Sequence, residues 1–423
     1  MRRCGWALAA GLLWVGAAAA EPVVYAGGRV WTGAGWEARD VAVDGDRIVE
    51  AGAVPASARR VDVAGKFLTP AYANAHAHVT NATEKASRFY TDAGVFYVWN
   101  PTTVVIGPEE RAFYARRDAY DVKVSQGGIT EPGGHPERLY VDVLAKWAYK
   151  GRDKAWFVGN AFHYGSTPAE IDAALDKLVA QGAQFVKAYL LESERYRALK
   201  ADPKAYGGRG LDPVNMPYLV AQAHRRGLPV TAHVETAHDL RMAAWAGVDV
   251  AMHLPAYGGV RGESLEPKRL TVADAALVAR SGMKVVPTFS IIRGEIYTGG
   301  GKEVPAEERP ALPVQAENLR LLREAGVELL TGTDGNGPIW PEVEHWVSLG
   351  IPPVEVAARA FATGAALFPE RRIGCFQAGC EADFLVLGAD PTTDIRALRA
   401  IERRVMQGRE LPAPEAPPAP AAG

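Results

Sequence analysis

The sequence predicts an α/β protein, a (β/α)8 TIM barrel with a small β-sandwich domain formed by both ends of the chain. Three observations predict it. Strand-like and helix-like segments alternate with short connections through the middle of the chain; both ends read as short strands with turns; and ionisable residues recur where the middle strands stop. Composition agrees, since 48% of the 423 residues are hydrophobic and 23% charged, enough for a sizeable core. The 44 Gly and 29 Pro are spread without a period, which excludes collagen-like, coiled-coil and disordered chains. Basic residues number 47 and acidic ones 49, a net charge of -2, so nothing electrostatic points to a nucleic-acid partner.

Residues 1–20 read as a signal peptide. Met1-Arg2-Arg3 is a short basic start, Trp6 to Ala17 is an apolar run too short for a comfortable membrane span, and Ala18-Ala19-Ala20 offers a small-residue cleavage site before Glu21. An uncleaved N-terminal anchor is the alternative. Cleavage implies a secreted or periplasmic protein without stable membrane association, and the loss of two arginines and no acids moves the balance from -2 to -4.

The first part of the sandwich spans 21–66. Its segments VVYAGGRVWTG, DVAVDGDRIVEAG and RRVDVAGKFLTP alternate like strands, with Asp44-Gly45-Asp46 as a hairpin turn. The second part spans 371–410, where ADFLVLGAD and IERRVMQGRE are again strands with turns. Cys4 leaves with the leader, so only Cys375 and Cys380 remain, as a small disulfide across a tight turn or as two free thiols. Residues 411–423 are Pro/Ala-rich with little to bury, and read as a disordered tail.

The barrel is expected over 67–370. Thr167-Pro168-Ala169-Glu170 has the form of a capping box, Ile171, Leu175, Leu178 and Val179 follow at helical spacing, and Gly182 ends that helix. The strand QFVKAYL comes next. The cycle then repeats with a helix over 214–226, the strand LPVTAHVE, a helix over 238–247, the strand VDVAMHLP, a helix from Thr271 and the strand MKVVPTF. A helix over 316–325, the strand VELLTGTD and a helix over 342–349 complete it. An open doubly wound sheet is the alternative architecture, but no Gly-rich dinucleotide fingerprint supports it.

In a barrel the chemistry belongs at the C-terminal ends of the strands. The first such end is LTPAYANAHAHVT, where His76 and His78 are two residues apart and point to one face. Lys187, His233, His253 and Asp334 each lie near the end of a separate later strand. Any one of them is ordinary, but nitrogen and oxygen donors at five strand ends brought to one rim make a metal site.

With those motifs the chain resembles the amidohydrolase superfamily of metal-dependent hydrolases, nearest its imidazolonepropionase-like and prolidase-like branch. The likeness runs through TPAYANAHAH, FVKAYL, TAHVET, MHLP, TGTD and RIGCFQAGCEADFLVL, nearly the whole mature chain. It implies two divalent ions, zinc by default with manganese, iron or cobalt also suited: His76, His78 and Asp334 on the more buried one, His233 and His253 on the other, Lys187 carboxylated as a bridging ligand. An unmodified ammonium, with its ordinary pKa of about 10.4, would repel two cations. An unmodified lysine implies one metal. Two departures stand out. Cys380 replaces the usual lysine of the closing motif, and Ala73-Asn74 replaces the usual Gly and Asp ahead of the first histidine.

The activity implied is hydrolysis of a C–N bond in a small molecule such as a dipeptide, an N-acyl amino acid or a cyclic amide. A metal-acidified water attacks, Asp334 takes its proton and passes it to the leaving nitrogen, and His253 is the other catalytic candidate. His135, in the Gly-rich loop GGITEPGGHPE, is a candidate substrate contact, with Tyr189 and Glu235, which share faces with Lys187 and His233. Trp99, Phe162, His163 and Tyr164 are candidate pocket walls. The alternatives are an esterase or lactonase on the same site, or a catalytically inactive barrel serving as a binding protein.

Overall fold

The computed structural model describes residues 21–78, 82–258, 263–293 and 303–414. The expected leader at 1–20 and the tail beyond 414 lie outside them.

The chain opens with β1 (Val23–Trp31), β2 (Trp36–Asp44), β3 (Arg47–Val49), β4 (Arg59–Asp62) and β5 (Phe67–Pro70). β2 and β3 form the expected hairpin, turned by Gly45 at φ 60°, a conformation that suits glycine. β1 pairs antiparallel with β2 with a bulge between Tyr25 and Gly28, and at the same place the partner along its other edge changes. Val23–Ala26 pair with β4 and Arg29–Val30 with β5. The bulge is where one strand serves two neighbours.

The middle contributes β6 (Tyr72–Asn74), β7 (Val95–Asn100), β8 (Asp121–Val124), β9 (Gly128–Thr130), β10 (Phe162–Tyr164), β11 (Val186–Tyr189), β12 (Val230–His233), β13 (Val250–Met252) and β14 (Lys284–Val286). All of these pair in parallel, but in two sheets, β6-β7-β8 and β10-β9-β11-β12-β13-β14. The expected barrel is therefore not one closed ladder. Two local features break it. Gln126 (φ 58°) and Gly127 (φ 100°) turn the backbone between β8 and β9, and the expected strand VELLTGTD forms no continuous ladder: it meets its neighbours through the isolated bridge Val285–Leu329 and through hydrogen bonds such as Ala75 N to Thr331 O at 2.8 Å, with the bridge Ala77–Gly335 just beyond its end.

The helices fall where periodicity places them, at Pro168–Ala180, Met216–Arg225, Ala237–Ala246, Val272–Ser281, Leu312–Glu324 and Trp340–Ser348. Thr167 and Glu170 make both hydrogen bonds of their capping box, and Thr236/Asp239 and Thr271/Asp274 use the same device with aspartate.

The chain returns with β15 (Phe384–Leu387), β16 (Ile401–Met406) and β17 (Arg409–Glu410). β15 pairs with β5, so the two ends meet in one eight-stranded sheet, ordered β17-β16-β15-β5-β1-β2-β3 with β4 on β1. The expected sandwich is thus a single paired sheet, because β5 hydrogen-bonds to strands from both ends. It has its own core, including Tyr25, Val41, Leu68, Phe384 and Val405, separate from the large core under the parallel strands. Cys375 and Cys380 are joined in a disulfide with Cα atoms 5.9 Å apart, which settles the open question of their state. The start of the expected tail is held: Leu411 N donates to Arg404 O, and Arg88 donates to Ala413 O at 3.2 Å. Among the described residues no helix is long and apolar enough to cross a membrane.

Candidate functional site

The parallel pairing puts the ends of β11, β12 and β13 side by side, with Tyr189 opposite His233 and His233 opposite Met252, the residue before His253. His76 follows β6, and the donation of Asp334 N to His76 O at 2.8 Å brings the end of VELLTGTD to it. One carboxylate oxygen, Asp334 Oδ1, lies 3.0 Å from His76 Nε2 and 2.6 Å from His78 Nε2. The His253 ring is centred 4.8 Å from that of His76 and 4.4 Å from that of His233. Lys187, 1% exposed, places Nζ 5.5 Å from the centre of the Tyr189 ring. All six expected donors therefore converge. His76, His78 and Asp334 bring their ligand atoms within 4.8 Å of one another, close enough to hold an ion.

Burial sets the protonation of this cluster. It pushes His76 and His135 down to about 3 and His253 well below the ordinary histidine range. It also drives Lys187 down to about 7, with Asp334 opposing. Burial works against charge on Asp334, but its contacts with His76, His253 and His78 keep its carboxyl well below the usual range. At neutral pH the result is neutral imidazoles at His76, His135 and His253, a lysine half deprotonated and one anionic carboxylate. Asp334 (φ 55°) and His253 (φ 80°) both occupy the left-handed region, where non-glycine residues are uncommon and concentrate at functional sites.

The three residues expected to contact substrate, His135, Tyr189 and Glu235, lie beside the same cluster. The His135 ring is centred 5.2 Å from both the Tyr189 and His233 rings. Tyr189 is buried, its phenol pushed up by desolvation and so held protonated, and its hydroxyl is 3.1 Å from Thr102 Oγ1. Glu235 is more committed than its position in the sequence implies: Oε1 lies 2.8 Å from His233 Nε2 and accepts from Tyr257 OH at 2.9 Å. Burial disfavours its charge, and the His233, Lys268 and Tyr257 contacts outweigh that and keep it ionised. Glu235 and Tyr257 border an opening of about 550 Å³, along with Leu191, Glu192, Lys268 and Ile291.

The expected aromatic walls lie elsewhere. Trp99 stacks on Phe185, Phe162 packs with Tyr140 and Phe157, Tyr164 donates to Glu137, and His163 meets Gln126 O at 3.4 Å. Their faces are taken by core neighbours. Sequence reading missed the residues that orient the histidines. Thr102 O lies 3.2 Å from His78 Nδ1, Thr288 Oγ1 lies 2.7 Å from His253 Nδ1, and Tyr257 stacks on the His253 ring at 4.0 Å. For His78 and His253 Nδ1 is thus occupied and Nε2 is left for the site. Only Tyr257, four residues past His253, carried a local signal.

An α/β scaffold that gathers neutral histidines, a carboxylate and a deprotonatable lysine at its strand ends has the layout of a hydrolase. The chain belongs to the amidohydrolase family, whose sequence pattern matches residues 67–409, and it is accordingly a hydrolase acting on carbon–nitrogen bonds. It is 24% identical over 343 residues to an imidazolonepropionase from Rhizobium meliloti (strain 1021), covering 70% of each chain. Among solved structures it resembles a Xaa-Pro dipeptidase with bound methionine in the active site (TM-score 0.67, 17% identity, 92% of this chain and 99% of that one). It also resembles the A. niger ochratoxinase (TM-score 0.70, 18% identity, 93% of this chain and 95% of that one). At such identities these two likenesses speak to the fold.

Proposed function

We propose that the chain is an exported, metal-dependent amidohydrolase that cleaves the C–N bond of a small amide, such as a dipeptide, an N-acyl amino acid or a cyclic amide. The observation that carries this is the convergence of His76, His78 and Asp334 to within 4.8 Å, ringed by Lys187, His233 and His253. The donor set fits divalent ions: His76 and His253 are held neutral by burial, beside an anionic carboxylate whose Oδ1 lies 3.0 Å from His76 Nε2 and 2.6 Å from His78 Nε2. His76, His78 and Asp334 would hold one ion, His233 and His253 a second, and Lys187 would bridge them as a carbamate. An amine brought down to about 7 has a substantial neutral fraction to add carbon dioxide, releasing one proton. Zinc is the default ion.

Bound metal supplies Lewis acidity, which acidifies water and polarises a carbonyl. The chain does the rest. Asp334 Oδ1 accepts the proton of the attacking water and returns it to the leaving nitrogen, giving a carboxylic acid and an amine. Tyr189, held protonated, and His135, held neutral, can donate to the oxygen that gains charge.

Two further readings complete the proposal. β6, β7, β8 with β9, β11, β12, β13, β14 and the Val327–Asp334 segment are taken as the eight staves of a bent barrel. The bridges Val285–Leu329 and Ala77–Gly335 support this. Residues 1–20 are taken as a leader removed on export, and a disulfide in the mature part suits an oxidising compartment.

The test is to load the purified protein with zinc or manganese under bicarbonate and to screen dipeptides, N-acyl amino acids, lactams and esters, with Asp334→Asn as control. Turnover of an amide that falls at least a hundredfold in the control is expected. No turnover of any class, or turnover untouched by that substitution, removes the reading. Turnover of esters alone makes it an esterase or lactonase.

A further inference from the structure

We propose that Glu342 is a positioning residue for His253, acting through Thr288. The inference rests on His253 belonging to the site described above. Glu342 comes from the helix Trp340–Ser348 and is fully buried. Its Oε1 accepts from Phe289 N at 2.9 Å and from Trp346 Nε1 at 2.6 Å, and its Oε2 accepts from Ser290 N at 2.6 Å. These are the first two N–H groups of the short turn Phe289–Arg293, which begins immediately after Thr288.

Threonine ahead of such a turn ordinarily spends its hydroxyl on those N–H groups. Here Glu342 has taken them. The Thr288 hydroxyl is free to turn the other way, and Oγ1 meets His253 Nδ1 at 2.7 Å. The arrangement carries strain: Thr288 is β-branched, fully buried and at φ 54°, a conformation that persists only where neighbours enforce it. Glu342 is the enforcing group, because its two oxygens fix the two peptide units that follow Thr288.

The consequence falls on the His253 ring. One face of the ring lies on Tyr257, at 4.0 Å and 20°. Stacking fixes the plane but leaves the ring free to flip by a half turn about Cβ–Cγ. The Thr288 contact removes that freedom: with Nδ1–H donating to Oγ1, Nε2 carries the lone pair and faces the site. Glutamine at 342 would offer one acceptor and one donor to two N–H groups, so one would be repelled and the turn would relax.

The test reads the histidine itself. In protein labelled with 15N at histidine, His253 (assigned by loss of its signal in His253→Gln) is expected as a single neutral tautomer protonated at Nδ1 in the wild type and in Thr288→Ser. Glu342→Gln and Thr288→Val are expected to mix the tautomers and to weaken zinc binding, measured by chelator competition, tenfold to a hundredfold. Should Glu342→Gln not fold, Glu342→Asp, whose shorter arm withdraws the carboxylate, gives the same reading. A wild-type tautomer and zinc affinity in the Glu342 variants, with only the unfolding midpoint lowered, overturns the proposal and leaves Glu342 a structural cap. If the wild type takes up no zinc, the metal reading fails, while the tautomer comparison still decides the role of Glu342.

Discussion

Asn74 and Thr333 exchange two hydrogen bonds across the site, Asn74 Nδ2 donating to Thr333 Oγ1 at 2.9 Å and Thr333 N donating to Asn74 Oδ1 at 3.2 Å. The same Oδ1 accepts from His76 N at 3.1 Å. One side-chain amide thus ties the backbone of His76 to that of the residue beside Asp334. Asn74 accepts twice through Oδ1 and donates through Nδ2. Asn74→Ala strands these buried partners and is expected to cost about 3 kcal/mol in chemical denaturation. A loss under about 1 kcal/mol would mean the link is incidental.

Lys187 has no carboxylate within ion-pair distance among the described residues, and burial brings its amine down to about 7. A neutral amine is needed to capture carbon dioxide. With 13C-bicarbonate, a carbamate carbon signal is expected above about pH 7, fading below pH 6 as the amine protonates. Lys187→Met should abolish it. Persistence of the signal in that variant would place the modification on another amine.

Asp383 carries a pH dependence of stability. Burial pushes its carboxyl from 3.8 up to about 6, against the opposing hydrogen bonds from Gln407 N and Tyr97 OH and the charge of Arg371. A folded value above the unfolded one means the contribution is full below about pH 4 and is lost as pH rises through 6. Relative to the wild type, Asp383→Asn should therefore gain up to about 3 kcal/mol between pH 4 and pH 7. Unfolding curves at the two pH values check this, and a constant difference would refute it.

The Cys375–Cys380 disulfide closes a very short loop beside the buried core of the end-to-end sheet. Loop-closure entropy predicts a modest effect, about 2 kcal/mol. The double serine variant is expected to fold with a lowered unfolding midpoint. Mass spectrometry of exported protein should show no free thiol and an N-terminus at Glu21. A mature chain that begins at Met1 would argue against the leader.

Much of the site was legible because its chemistry is local. Histidines two apart just past one strand, a lysine inside an apolar strand and an aspartate after an apolar run announce themselves by residue type and position, and the six donors do meet. Glu235 shows the limit: its spacing from His233 predicts proximity, but not that Tyr257, 22 positions away, shares its oxygen.

The sequence by itself determined the alternation of strands and helices, the pairing of the two ends and the identity of the donors, since hydrophobic period and capping are encoded within a few residues of each element. The tertiary structure alone decided which nitrogen of His78 and of His253 faces the site, through Thr102 and Thr288, and how far the parallel ladder continues, through the left-handed turn at Gln126 and the isolated bridges Val285–Leu329 and Ala77–Gly335. The two choices of nitrogen rest on single hydrogen bonds between residues 24 and 35 positions apart, and the Asn74–Thr333 link on bonds across 259. A threonine or asparagine that holds such a bond is locally no different from one in a surface turn.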